Sequence, residues 1–231
     1  MFKKILLLFF FIFLLLLSFS ALPVRSQEEA ERGVISIYFM GEQVGYEEYI
    51  WQSDETGYFL SLRGRMTKLV AMEIESLTIS LDKSFIPRQF HFKGSIGGVD
   101  QEISSSIVDG KVENIIYASG QEQRITVEIK KDAFLLPSGV FSPYIVLTKK
   151  FRCTLQEPVN LSAYIIPHLE IPFTLKTKDE SPCSLIMQLG ETLIELETDD
   201  EGNLEALYIP SQKVRVIHRK PFLSSRSSPI N

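Results

Sequence analysis

The chain has 231 residues, with 24 Lys and Arg against 29 Asp and Glu, for a formal charge of −5. That acidic balance excludes the basic footprint on which nucleic-acid binding depends. Two cysteines and three histidines, none at zinc-ligand spacing, make no metal motif, and no cofactor is implied.

Lys3 and Lys4 precede an unbroken apolar run from Ile5 to Leu17, followed by Ser18, Ser20, Ala21, Pro23 and Val24-Arg25-Ser26. This is the layout of a secretory signal peptide, residues 1–26. Cleavage after Ser26 leaves Gln27-Glu28-Glu29 to open the exported chain; cleavage after Ser20 is also compatible. The run falls short of the roughly 20 residues that a helix needs to cross a bilayer core. An uncleaved N-terminal anchor is the alternative, and would be the only link to a membrane. Removing residues 1–26 takes away Lys3, Lys4 and Arg25 and no acid, leaving 21 basic and 29 acidic residues in a periplasmic or extracellular protein.

Residues 27–219 read as one β-rich domain, with no Pro/Gly/Ser linker dividing them. Apolar residues alternate at Ile35, Ile37 and Phe39, at Phe90 and Phe92, at Ile125, Val127 and Ile129, and at Leu169, Ile171, Phe173 and Leu175. Such period-2 runs are strands with one buried and one wet face, as in antiparallel sheets. Gly41 and Gly45 bracket a predicted turn over Glu42-Gln43-Val44, and Ser53 to Gly57 is a second connection. Between Ile74 and Leu77 the alternation changes parity, which predicts a bulge near Glu75-Ser76. Gly97-Gly98, Asp109-Gly110 and Ser119-Gly120 divide residues 88–130 into a four-stranded meander. Asp199 to Gly202 is a later hairpin turn. One segment breaks the pattern: Ser142 as N-cap, Pro143 as first helical residue and Lys149, Lys150 and Arg152 at the far end predict a short helix at 142–152. The tail, residues 220–231, is expected to be disordered. The fold class is therefore mainly all-β: a curved antiparallel sheet forming a half-open or spiralling barrel, with that helix against its concave side.

Ile37-Tyr38-Phe39-Met40-Gly41-Glu42-Gln43-Val44-Gly45-Tyr46 has the form of an aromatic strand, Gly, a short turn, Val-Gly and a second strand. Leu81 to Phe90 reads as strand, Asp, aromatic, Pro, strand. With the Asp109-Gly110-Lys111 turn and the Leu204–Pro210 strand, these segments resemble an uncharacterised family of exported bacterial β-domains, themselves similar to the half-open barrels of the LolA/LolB type. The resemblance implies architecture and location, and carries no catalytic residue onto this chain.

Catalytic motifs are absent from the sequence. There is no Gly-x-Ser-x-Gly, and the acid pairs Glu73/Glu75 and Glu195/Glu197 read as solvated strand faces. Cys153 and Cys183 can pair as a disulfide in an oxidising compartment, worth ~3–4 kcal/mol on the chain-entropy model. The alternative is two unpaired thiols. Aromatic residues are the richest material: Tyr49, Trp51, Phe59, Phe90, Phe92 and Phe134 are candidates to line an apolar ligand site. The expected function is a non-enzymatic envelope protein that binds a lipid or other apolar small molecule. A structural or adaptor domain that binds another envelope protein is the alternative. A hydrolase would require His91 or His168 in a polar cleft beside an acid or thiol.

Overall fold

The computed structural model describes residues 30–178 and 181–219; the predicted signal peptide and the tail 220–231 lie outside the described residues. The first run of strands is β1 (Glu31–Phe39), β2 (Glu42–Ser53), β3 (Gly57–Met66), β4 (Met72–Asp82), β5 (Pro87–Ile96), β6 (Val99–Val108), β7 (Lys111–Ala118) and β8 (Gln121–Glu128). A two-residue strand β9 (Phe134–Leu135) and the helix α1 (Tyr144–Phe151) follow. The second run is β10 (Val159–Ile165), β11 (Leu169–Lys178), β12 (Ser181–Leu189), β13 (Thr192–Thr198), β14 (Leu204–Ile209) and β15 (Val214–Arg219).

All fifteen strands form one sheet, in the order β8-β7-β6-β5-β4-β3-β2-β1-β15-β14-β13-β12-β11-β10-β9. Each run is an antiparallel meander, and β1 pairs with β15 to join the two. Only the short β9 runs parallel to its neighbour. In a flat sheet the outermost strands would lie about 67 Å apart at ~4.8 Å per step. Yet β8 and β9 are consecutive in the chain, separated only by residues 129–133, and such a link reaches at most about 20 Å. The sheet therefore has to curl until its two edges nearly meet.

Among the described residues no backbone ladder joins β8 to β9; side chains bridge the strands beside them instead. Asn114 of β7, 1% exposed, donates to the Tyr164 hydroxyl of β10 and to the Pro167 carbonyl, both at 2.9 Å. Ser105 of β6 donates to the Asn114 amide oxygen at 2.6 Å, and the Tyr164 hydroxyl donates to the Pro167 carbonyl. Nearby, the Lys130 N–H in the connecting link donates to the Glu170 carboxylate at 3.2 Å.

The bulge expected between Ile74 and Leu77 is present: Ile74 pairs with Gly94 and Ser76 with Lys93, so Met72, Ile74, Leu77, Ile79 and Leu81 all face inward despite the change of parity. The β1–β2 hairpin is tighter than predicted. Its turn is Met40-Gly41, both at positive φ as a two-residue hairpin requires, while Val44 is a buried bulge residue inside β2. The meander over 88–130 corresponds to β5–β8.

The curl is filled. Residues Tyr144 to Lys149 of α1 are all buried, so this helix has no wet face and acts as a plug. Together with Ala133 to Leu136, Val140 and Phe141 it joins the inward row Trp51, Leu60, Ile79 and Phe90 in one continuous apolar core.

The Asn114 knot sets a stability expectation. Asn114→Ala leaves the Tyr164 and Ser105 hydroxyls short of partners in a buried site, and should cost about 2–3 kcal/mol. Urea unfolding measures it; a loss below 0.5 kcal/mol, roughly the level of a neutral surface change, would mean that the knot does not hold the edges.

Candidate functional site

The plug is held at its N-terminal end by a buried carboxylate. Glu47 of β2, 1% exposed, accepts the Phe141 N–H at 2.8 Å, the Ser142 N–H at 2.6 Å and the Ser142 hydroxyl at 2.5 Å. This corrects the reading of Ser142 as an N-cap. Its hydroxyl is given to Glu47, no side chain caps the helix, and α1 begins one residue after Pro143. A sheet residue supplies the acceptor that a local cap would otherwise provide. Desolvation raises the Glu47 carboxyl above its ordinary value of 4.5, and the bonds from Ser142 and Phe141 only partly oppose it.

The other end opens on a cavity of about 500 Å³, lined by Glu31, Trp51, Ser53, Tyr58, Lys83, Phe85, Lys149, Lys150 and Arg152. Lys149, in the last turn of α1 and 5% exposed, donates to Glu31 at 2.6 Å and to Asn203 at 2.5 Å. The other Glu31 oxygen accepts the Tyr49 hydroxyl at 3.2 Å, and that hydroxyl lies 2.9 Å from His218 Nε2. A phenol has one proton, so with Tyr49 donating to Glu31 the imidazole nitrogen is the donor in the second bond. Burial, then the Glu31 charge, push the Tyr49 phenol far above its usual range. Gly33 makes this chain possible: a Cβ there would lie 2.3 Å from His218 Nε2 and 2.5 Å from Tyr49 Cε1.

Around this inner wall the mouth is aromatic and basic. Trp51 and Tyr58 stack with centroids 5.4 Å apart, and Tyr58 and Phe85 with centroids 4.4 Å apart. Lys83 stands 5.3 Å above the Tyr58 ring, and Lys150 5.0 Å above Phe134. Phe85 and Lys83 belong to a turn that Asp82 organises: its carboxylate accepts the Ser84 N–H at 2.8 Å, the Ile86 N–H at 3.0 Å and Arg88 at 2.7 Å. Burial works against the charged form, but the two N–H groups and Arg88 hold the Asp82 carboxyl below its ordinary value. Phe85 adopts φ 62°, a left-handed conformation uncommon for a bulky residue, which the turn imposes. On the opposite side, Arg152 ends α1 at φ 34°, and the next residue, Cys153, is joined to Cys183 of β12 by a disulfide. The end of the plug is thereby fastened to the second half of the sheet.

The residues expected to line an apolar site are dispersed differently. Trp51 lines the mouth, and Tyr49 is buried behind it, bonded to Glu31. Phe90 and Phe92 are 2% and 3% exposed in the core, and Phe134 is buried beneath Lys150 against Phe151 and Phe173. Phe59 lies on the outer face, 40% exposed, because it pairs with Gln52 in the register that turns Leu60 and Trp51 inward. Sequence reading did not single out Glu31, Lys83, Phe85, Tyr58 or His218 as site residues. Their grouping comes from four separate segments, and only the aromatic-Pro turn before β5 carried any local signal. Among the described residues no group of three or more His, Cys, Asp or Glu side chains could hold a metal ion. His91 bonds Glu102 on the surface, and His168 is exposed in the β10–β11 turn, so neither enters the mouth.

No family model matches this chain, and no curated protein matches it. Among solved structures it is similar to a DUF1089 family protein from Pseudomonas aeruginosa, with a TM-score of 0.43 and 10% identity over 83% of this chain and 95% of that one.

Glu47 gives a pH expectation. Its folded value lies above the unfolded 4.5, so its contribution to stability is complete below about pH 4.5 and is lost as pH rises through the folded value. Wild-type unfolding free energy should therefore decline across that window, and Glu47→Gln should abolish the decline. Urea titrations at a series of pH values measure both; parallel curves would exclude this role.

Proposed function

We propose that this protein is an exported, non-enzymatic binding domain that takes a lipid-like amphiphile at the mouth beside the C-terminal end of α1. The observation that carries the reading is the pairing of a stacked aromatic wall, Trp51, Tyr58 and Phe85, with four cations and one carboxylate around a cavity of about 500 Å³. Aromatic faces supply apolar contact for a chain, while Lys and Arg heads supply partners for a polar group. The plug occupies the inside of the curl, so the ligand is held at the rim. The signal peptide read in the sequence places such a domain in the envelope or outside the cell.

A second reading rests on β8, the edge strand of the first meander, whose residues Gln121 to Arg124 are all exposed. An edge of this kind can pair with a strand of another envelope protein. Glu122, Arg124 and Glu128 along it are the charges that discourage such pairing, which leaves the mouth as the stronger feature.

Trp51 is the only tryptophan in the chain and lines the mouth. Titration with lauroyl lysophosphatidylcholine below its micelle concentration should give a saturable change in Trp51 emission, weakened in a Tyr58→Ala, Phe85→Ala variant. Silent emission, together with no bound lipid in native mass spectra of the protein from its own envelope, would refute the binding reading.

A further inference from the structure

We propose that the mouth selects single-chain amphiphiles whose head group is a phosphate monoester, and that it takes them as monomers. The inference rests on the binding reading above and names its ligand class. Of the four cations in the lining, Lys149 is already neutralised by Glu31. Lys83, Lys150 and Arg152 remain, converging from the β4–β5 turn and from the end of α1. Lys150 is the most informative of the three. Burial lowers its pKa, the acids that act on it, Asp132 and Asp82, do so without a hydrogen bond, and its Nζ rests on the Phe134 ring. A cation partly removed from water and left with a ring face gains most from an incoming anion.

The number of charges discriminates among head groups. A phosphate monoester carries about −1.5 to −2 at neutral pH and three acceptor oxygens, enough to engage three cations. A carboxylate brings one charge, and a choline ester brings its own cation to a basic site. The surroundings argue for a monomer rather than a bilayer surface. Asp54, Asp82 and Asp132 stand near these lysines, and acids beside a basic centre repel an extended anionic surface while leaving the centre open to a single head group. The stack of Trp51, Tyr58 and Phe85 then lies beside the first carbons of the chain.

The test compares lauroyl lysophosphatidate, lauroyl lysophosphatidylcholine and laurate, each below its micelle concentration, by Trp51 emission and calorimetry on the exported protein. The phosphate monoester should bind roughly tenfold tighter than the other two. Lys83→Gln with Arg152→Gln, both exposed positions, should remove that preference and leave the choline ester's affinity in place. Lys150→Met provides a second, independent loss of the preference. Equal affinity for all three, or tighter binding of the choline ester, would overturn the head-group assignment while the binding reading stands. Silence toward every ligand removes both. Inorganic phosphate binding as tightly as lysophosphatidate would assign the site to free phosphate and overturn the amphiphile.

Discussion

A five-residue link between the two outermost strands is the constraint from which the rest of this structure follows. Residues 129–133 lead from β8 to β9, which stand at opposite ends of the strand order. Covalent geometry allows them about 20 Å, against about 67 Å for a flat sheet. Curling is therefore obligatory, and bulges such as that between Ile74 and Ser76 let the strands bend while keeping their apolar sides inward. The ladder does not close, so the seam is made from side chains: Ser105, Asn114 and Tyr164.

A curl of this size encloses space that apolar strands cannot fill alone. Residues 133–151 fill it, and their polar ends have to be satisfied within the protein. Glu47 meets the N–H groups before α1, and Glu31 with Asn203 meets Lys149 near its end. The arrangement agrees with the helix dipole, acceptor oxygens at the N-terminal end and a cation in the last turn. The two ends differ in consequence. Glu47 is sealed and serves the fold, whereas the Lys149 end opens to the outside, where Lys83, Lys150, Arg152 and the aromatic stack gather. The disulfide fixes that end to β12, so the helix end that lines the mouth is anchored to the second half of the sheet, while the sheet residues of the lining come from the first.

Much of the fold was legible because its signals are local. Alternation, turn dipeptides and a parity change each act over a few residues, and the strands, the β5–β8 meander and the bulge follow from them. Two local readings were displaced by tertiary contacts. Ser142 has the chemistry of a cap but donates to Glu47 from a strand distant in sequence. The turn between β1 and β2 contracts to Met40-Gly41, with Val44 taken into the strand as a bulge. The candidate site was the least legible part. Trp51 and Tyr49 stood out as aromatics, but nothing in a sequence says that residues 31, 58, 83–85 and 149–152 share one rim.

By itself the sequence determined an acidic chain without a catalytic motif and a mainly β fold with one short helix, because these depend on composition and on periods of two to four residues. Tertiary structure decided that the helix is a plug, that Cys153 reaches Cys183, and that an acidic protein carries a basic, aromatic mouth. Those outcomes depend on which strands become neighbours when a fifteen-stranded sheet is forced to curl, and that information is spread over the whole chain.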